Sequence, residues 1–151
     1  MERIIYYDPN GPRDQKGFRG SSEAWWVGQN PYRSWDERFG TFDLSEALYW
    51  SLFKFDIVEE ILDLPHQFIL GAYEEGILLN RALADASSIL RKHADALESN
   101  YEWQFSGGKE GRDDLIYRIL VDSRKLREEL IALAEFLEEG AQRGYDVQLW
   151  L

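Results

Sequence analysis

Between residues 69 and 97 the side chains of Ile69, Ala72, Gly76, Leu79, Leu83, Ala86, Leu90, His93 and Leu97 recur at alternating steps of three and four. That spacing is one face of an α-helix, and it predicts a long helix from about Pro65 to Leu97. Gly71 and Gly76 each cost about 1 kcal/mol against alanine inside a helix, so Gly76 on the stripe predicts either a close neighbouring backbone or a bend.

Two more helices follow from the same grammar. Leu44, Leu48, Leu52, Phe55, Val58 or Ile57, and Leu62 predict a first helix over about 44–63. Its expected start is a capping box of Asp43 with Glu46, and Pro65 separates it from the next helix. Leu115, Ile119, Leu126, Leu130, Leu133 and Leu137 predict a third helix over about 113–139, with Asp122 or Ser123 interrupting the seam and Gly140 as terminator. Short strands are expected at residues 2–7, around Tyr101, Trp103 and Phe105, and in the alternating tail "YDVQLWL". The two terminal strands are expected to pair.

The expected fold class is therefore mainly α, α with minor β. It is an up-down-up bundle of three main helices, two of them long, with a small terminal β-pairing. Three helices leave an apolar groove open, and the segment "EAWWVGQNPYRSWDERFGTF" at residues 23–42 is apolar-rich without a period of its own. Trp35, Phe39 and Phe42 are expected to face inward as a cover, leaving Trp25, Trp26 and Tyr32 for a surface. The 151 residues suit one domain, divided into a strand plus an aromatic covering segment, 1–42, and an acidic helical bundle, 43–151.

Charge separates those two parts. The chain carries a net −11, yet residues 1–42 are balanced and residues 43–151 hold 11 bases against 22 acids. Within residues 43–80 only Lys54 opposes eight acids, a local net of −7. Such a field repels nucleic acid and anionic membrane and attracts basic partners or metal ions. No cysteine is present, which excludes disulfides, thiolate zinc sites and cysteine nucleophiles. The start of the chain has no signal-peptide pattern and no apolar run approaches a membrane span, so a cytoplasmic protein is expected.

Catalytic motifs are absent from the sequence: no phosphate-binding glycine loop, no G-x-S-x-G elbow and no H-E-x-x-H. Of the two histidines, His93 falls on the apolar stripe, where a satisfied core or groove role is expected, and His66 follows Pro65 in an exposed turn. No catalytic residue, cofactor or metal ligand is assigned. Carboxylate pairs at three-residue spacing remain, namely Asp56 with Glu59, Glu60 with Asp63, and Glu135 with Glu138. They are similar to the magnesium-binding pairs of all-α nucleotide pyrophosphohydrolases, which makes a metal-dependent all-α enzyme the alternative reading.

The favoured reading starts from where these acids fall. Helix C-termini disfavour negative charge, yet Glu59, Glu60 and Asp63 close the first expected helix and Glu135, Glu138 and Glu139 the third. In an up-down-up bundle these ends share one pole, so the acids are expected to converge. The expected function is non-catalytic binding of a basic protein partner, a toxin or nuclease in the most concrete case, as an immunity protein or antitoxin does. Partner-binding residues are expected to be Asp56, Glu59, Glu60, Asp63, Glu135, Glu138 and Glu139, with Trp25, Trp26 and Tyr32 as aromatic anchors. A homodimer is the other association the sequence allows.

Overall fold

A computed structural model of the chain describes residues 3–6, 8–22, 40–64, 68–70, 75–106 and 115–150. Among them helix is the commoner regular state, as four segments: α1 (Glu46–Lys54), α2 (Ile57–Leu62), α3 (Asn80–Ala96) and α4 (Ser123–Arg143). The strands are β1 (Arg3–Tyr6), β2 (Pro12–Ser22), β3 (Gly40–Ser45), β4 (Phe68–Leu70), β5 (Glu75–Leu78), β6 (Tyr101–Ser106), β7 (Leu115–Val121) and β8 (Tyr145–Trp150). They form an antiparallel sheet in the order β3-β2-β8-β5-β4 and a smaller sheet β1-β7-β6, in which β1 runs parallel to β7.

The helical character expected from the periodicity holds, but the three-helix bundle does not form, and strands do more than pair the termini. Among the described residues, the expected second helix is helical only from Asn80. Residues 68–70 and 75–78, which share its stripe, are instead the hairpin β4–β5, and β5 pairs with β8 from Glu75↔Trp150 to Leu78↔Val147. A three-and-four pattern over so few residues cannot separate a buried strand from a helix. Here Gly76 disfavours the helix and pairing to β8 settles it. Of the expected terminal strands, β1 and β8 both form, but in different sheets: β1 joins β7, and β8 lies between β2 and β5.

Both remaining helices begin later than expected. Residues 40–45 form β3, and Ser45 rather than Asp43 caps α1, its Oγ accepting from the Leu48 N–H at 3.1 Å. The Glu46 carboxylate serves the Trp50 indole N–H at 2.9 Å instead of closing a capping box. At Asp56 the backbone turns left-handed, φ 56°, which splits the first expected helix into α1 and α2. Residues 115–121 are β7, and the polar interruption at Asp122 is the helix boundary: its carboxylate accepts from Arg124 N at 2.9 Å. Helix α4 continues through Gly140 and ends at Gly144, whose φ of 71° suits glycine.

Helices α3 and α4 pack antiparallel, with Asn80 at Gly140 and Ala141, and Arg127 at Ala94 and Leu97. Their Leu83, Leu90, Leu130, Leu133 and Leu137 are fully buried, each contributing about 1.5–3 kcal/mol by leaving water. Leu78, Val147 and Leu149 of the larger sheet, Ile119 and Val121 of the smaller, and Leu48, Leu52 and Ile57 from α1 and α2 join the same cluster. Phe42 packs partly buried against it, 6.0 Å from the Phe136 ring, in keeping with an inward role. Trp35 and Phe39 of the expected cover, and Trp25, Trp26 and Tyr32 expected at a surface, lie outside the described residues, as does His66. Among the described residues no helix is long and apolar enough to cross a membrane.

Candidate partner-binding surface

Breaking the first helix at Asp56 changes the electrostatic meaning of its acids. Glu59 and Glu60 occupy the first turn of α2, the end of a helix that favours negative charge, and only Asp63 remains at a C-terminus. Likewise α4 runs on to Arg143, so Glu135, Glu138 and Glu139 precede its last turn, and Arg143 pairs with Glu139 at 2.7 Å. The premise of misplaced acids is thereby corrected.

What the fold assembles is a divided acidic surface. Asp56, Glu59 and Asp63 are exposed along α2. Glu60 instead reaches α3, with Oε2 2.9 Å from Lys92 Nζ and Oε1 2.8 Å from His93 Nε2. The hydrogen bonds from Lys92 and then His93 hold its carboxyl below the usual carboxylate range. On the other flank of α3, Glu138 takes a forked contact from Arg91 at 2.6 and 3.1 Å, which raises the guanidinium's pKa further. Glu135 is exposed beside this pair. Basic residues 91–93 of α3 thus stand between the acids of α2 and those of α4, where one acidic pole was expected. His93, mostly buried against Glu60, is a groove histidine as expected.

Lys54 was missed as a site residue, and its placement matters most. Its Nζ lies 4.8 Å from the Trp103 ring centroid, 4.9 Å from Tyr101 and 6.0 Å from Phe55. Rings at such distances attract an ammonium through their negative faces. The Tyr101 hydroxyl is hydrogen-bonded to Ser51, and burial pushes the phenol's pKa up. Lys54 makes no ion pair among the described residues, so the one base of residues 43–80 is drawn onto rings and leaves the acids of α2 uncompensated from that side. The sequence signal was Tyr101 and Trp103 two apart on one strand face, which carries no hint of a partner 47 residues earlier.

A second feature lies between β3 and α4. A cavity of about 420 Å³ is lined by Asn10, Phe42, Lys125, Glu128, Glu129 and Ala132, and one of about 290 Å³ beside it adds Asp43, Leu44 and Ser45. Ser45 Oγ donates to Glu129 Oε2 at 2.5 Å, and burial raises the Glu129 pKa above the ordinary carboxylate value. Because the folded state holds this proton more tightly than the unfolded state, ionised Glu129 costs stability above its folded pKa and nothing below its unfolded pKa. Glu129→Gln keeps an acceptor for Ser45 and is expected to raise the melting temperature at neutral pH. The gain should vanish in acid below the ordinary carboxylate range, as a pH series of thermal melts would show.

Among the described residues no group of three or more histidines, aspartates or glutamates is placed to hold a metal ion. Comparison with known proteins gives no match, whether to a family model, a curated protein or a solved structure.

Proposed function

We propose that this chain is a non-catalytic acidic binding domain that docks on a basic protein partner, most concretely as an inhibitor of the immunity-protein or antitoxin kind. The observation that carries this reading is the exposed row Asp56, Glu59 and Asp63 on α2, next to a lone lysine that is drawn onto aromatic rings. An uncompensated row of carboxylates on a rigid element raises the rate of encounter with cationic surfaces and discriminates against anionic ones. Glu135, on the other flank of α3, extends the field.

Replacing the three acids together, Asp56→Asn, Glu59→Gln and Asp63→Asn, removes charge from exposed positions and is expected to leave the fold intact. Affinity capture from the source cell, with the bound protein identified by mass spectrometry, should recover a basic protein with the native chain. The triple variant should bind it about tenfold more weakly or worse at low salt. Equal recovery by both chains would overturn the reading.

A further inference from the structure

The packing around Glu129 leaves its carboxylate incompletely served. The side chain is partly buried, and its donor is a neutral hydroxyl, Ser45 Oγ, which bonds Oε2 at 2.5 Å. Among the described residues Oε1 accepts no hydrogen bond, and Lys125, one helical turn earlier on α4, is exposed and makes no ion pair. Burial raises the pKa of the carboxyl, so the ionised form costs stability, and a cation at Oε1 would offset that cost. Space for one adjoins the same residue. Glu129 and Asn10 border both cavities between β3 and α4, of about 420 and 290 Å³. The larger falls in the range of small-molecule sites, about 300–1,000 Å³. It opens to solvent past exposed Glu128 and Ala132, and the partly buried Phe42 ring gives it an apolar wall.

We propose that this double cavity binds a small organic amine, its ammonium on Glu129 and its apolar body along Phe42. The unserved oxygen selects the donor: a carboxylate bonds a charged N–H about twice as strongly as a neutral one. Negative charge around the opening favours the same sign of ligand, since Glu128 borders the larger cavity and Asp43 the smaller, and neither makes an ion pair among the described residues. The apolar wall of Phe42 and Ala132 selects an organic cation over a bare ion. A metal ion is disfavoured further, because no three histidine, aspartate or glutamate side chains among the described residues converge to hold one. No residue of α2 borders either cavity, so the site is independent of the proposed protein partner.

The test titrates the full chain by calorimetry, at neutral pH and low salt, with phenethylamine, its uncharged counterpart phenethyl alcohol, and N-acetyl-lysine amide. Phenethylamine should bind about tenfold or more tightly than the alcohol. Glu129→Gln should abolish that preference, and because this variant is expected to be the more stable chain, the loss would not report unfolding. Ala132→Phe, which narrows the larger cavity from an exposed position, should weaken the amine by a similar factor. Glu135→Gln, elsewhere on α4, should change nothing. Equal binding of amine and alcohol, a preference that survives Glu129→Gln, or an amine that does not bind would each overturn the site. Tighter binding of N-acetyl-lysine amide than of phenethylamine would assign the cavity to a lysine side chain of another protein and overturn the small-molecule reading.

Discussion

Asn80→Ala is expected to lower the unfolding free energy by about 1–3 kcal/mol, a sizeable share of the roughly 5–15 kcal/mol that keeps a domain folded. One carboxamide N–H₂ group joins the end of α4 to the start of β8: Asn80 Nδ2 reaches the Gly140, Ala141 and Tyr145 carbonyls at 3.2, 3.3 and 2.9 Å, one of its two N–H groups being shared between two acceptors. Gly140 and Ala141 lie in the last turn of α4, whose carbonyls lack the usual intrahelical donors and here also accept from the Gly144 N–H at the C-cap. Alanine would remove these part-buried bonds and leave the Gly144 N–H to serve Gly140 and Ala141. The substitution spares the backbone N–H of residue 80, which donates to the Asp146 carboxylate at 2.8 Å, so the loss isolates the side chain's role. Asn80→Asp should be worse, since it removes the donors and sets a carboxylate close to buried Asp146. Urea denaturation with an unchanged slope checks this, and unaltered stability would mean that water serves the three carbonyls equally well.

The same network explains why the start of α3 could not be read from the sequence. Local signals mark a helix start when the residue before it can cap, as Asp122 does for α4 and Ser45 for α1. Leu79 precedes α3 and cannot cap, and the acceptor for the Asn80 N–H comes from Asp146, 66 residues after Asn80. With no start signal at residue 79, the apolar stripe extended the expected helix backward through what are strands β4 and β5. The interior stripe of α3 was legible because burial of Leu83, Ala86 and Leu90 needs only helical spacing, and the alternation in residues 101–106 and 145–150 marked strands for the same reason. In the candidate site, the acids on α2 were legible as residues but not as electrostatics. Their dipole environment depends on where the helix breaks, which the left-handed turn at Asp56 decides. Contacts across long separations, Lys54 with Tyr101 and Trp103 and Ser45 with Glu129, leave no local trace.

Arg127→Met is the second large effect expected, about 2–3 kcal/mol, and it reaches from stability to the proposed surface. Leu97, the C-cap of α3, has no polar side chain to finish the helix; Arg127 of α4 supplies the donors, with Nε 3.0 Å from the Ala94 carbonyl and Nη2 2.5 Å from that of Leu97. Hydrogen bonds from a charged group are about twice as strong as neutral ones, and a cation at this end also opposes the helix dipole. Methionine preserves most of the packing of the arginine stem, so the loss reports the guanidinium. The last turn of α3 should then fray, and α2 depends on that turn, because Glu60 is tied to Lys92 and His93. Hydrogen exchange should therefore quicken first at residues 91–97 and then across α2, with the middle of α3 near buried Ser87 protected until global unfolding. Arg127→Lys, retaining the charge and a donor but not the fork, should fall between the two. If exchange in α2 stays at the native rate while α3 frays, the Glu60 contacts do not position the acid row. Its geometry would then rest on the burial of Ile57 and Ile61 alone.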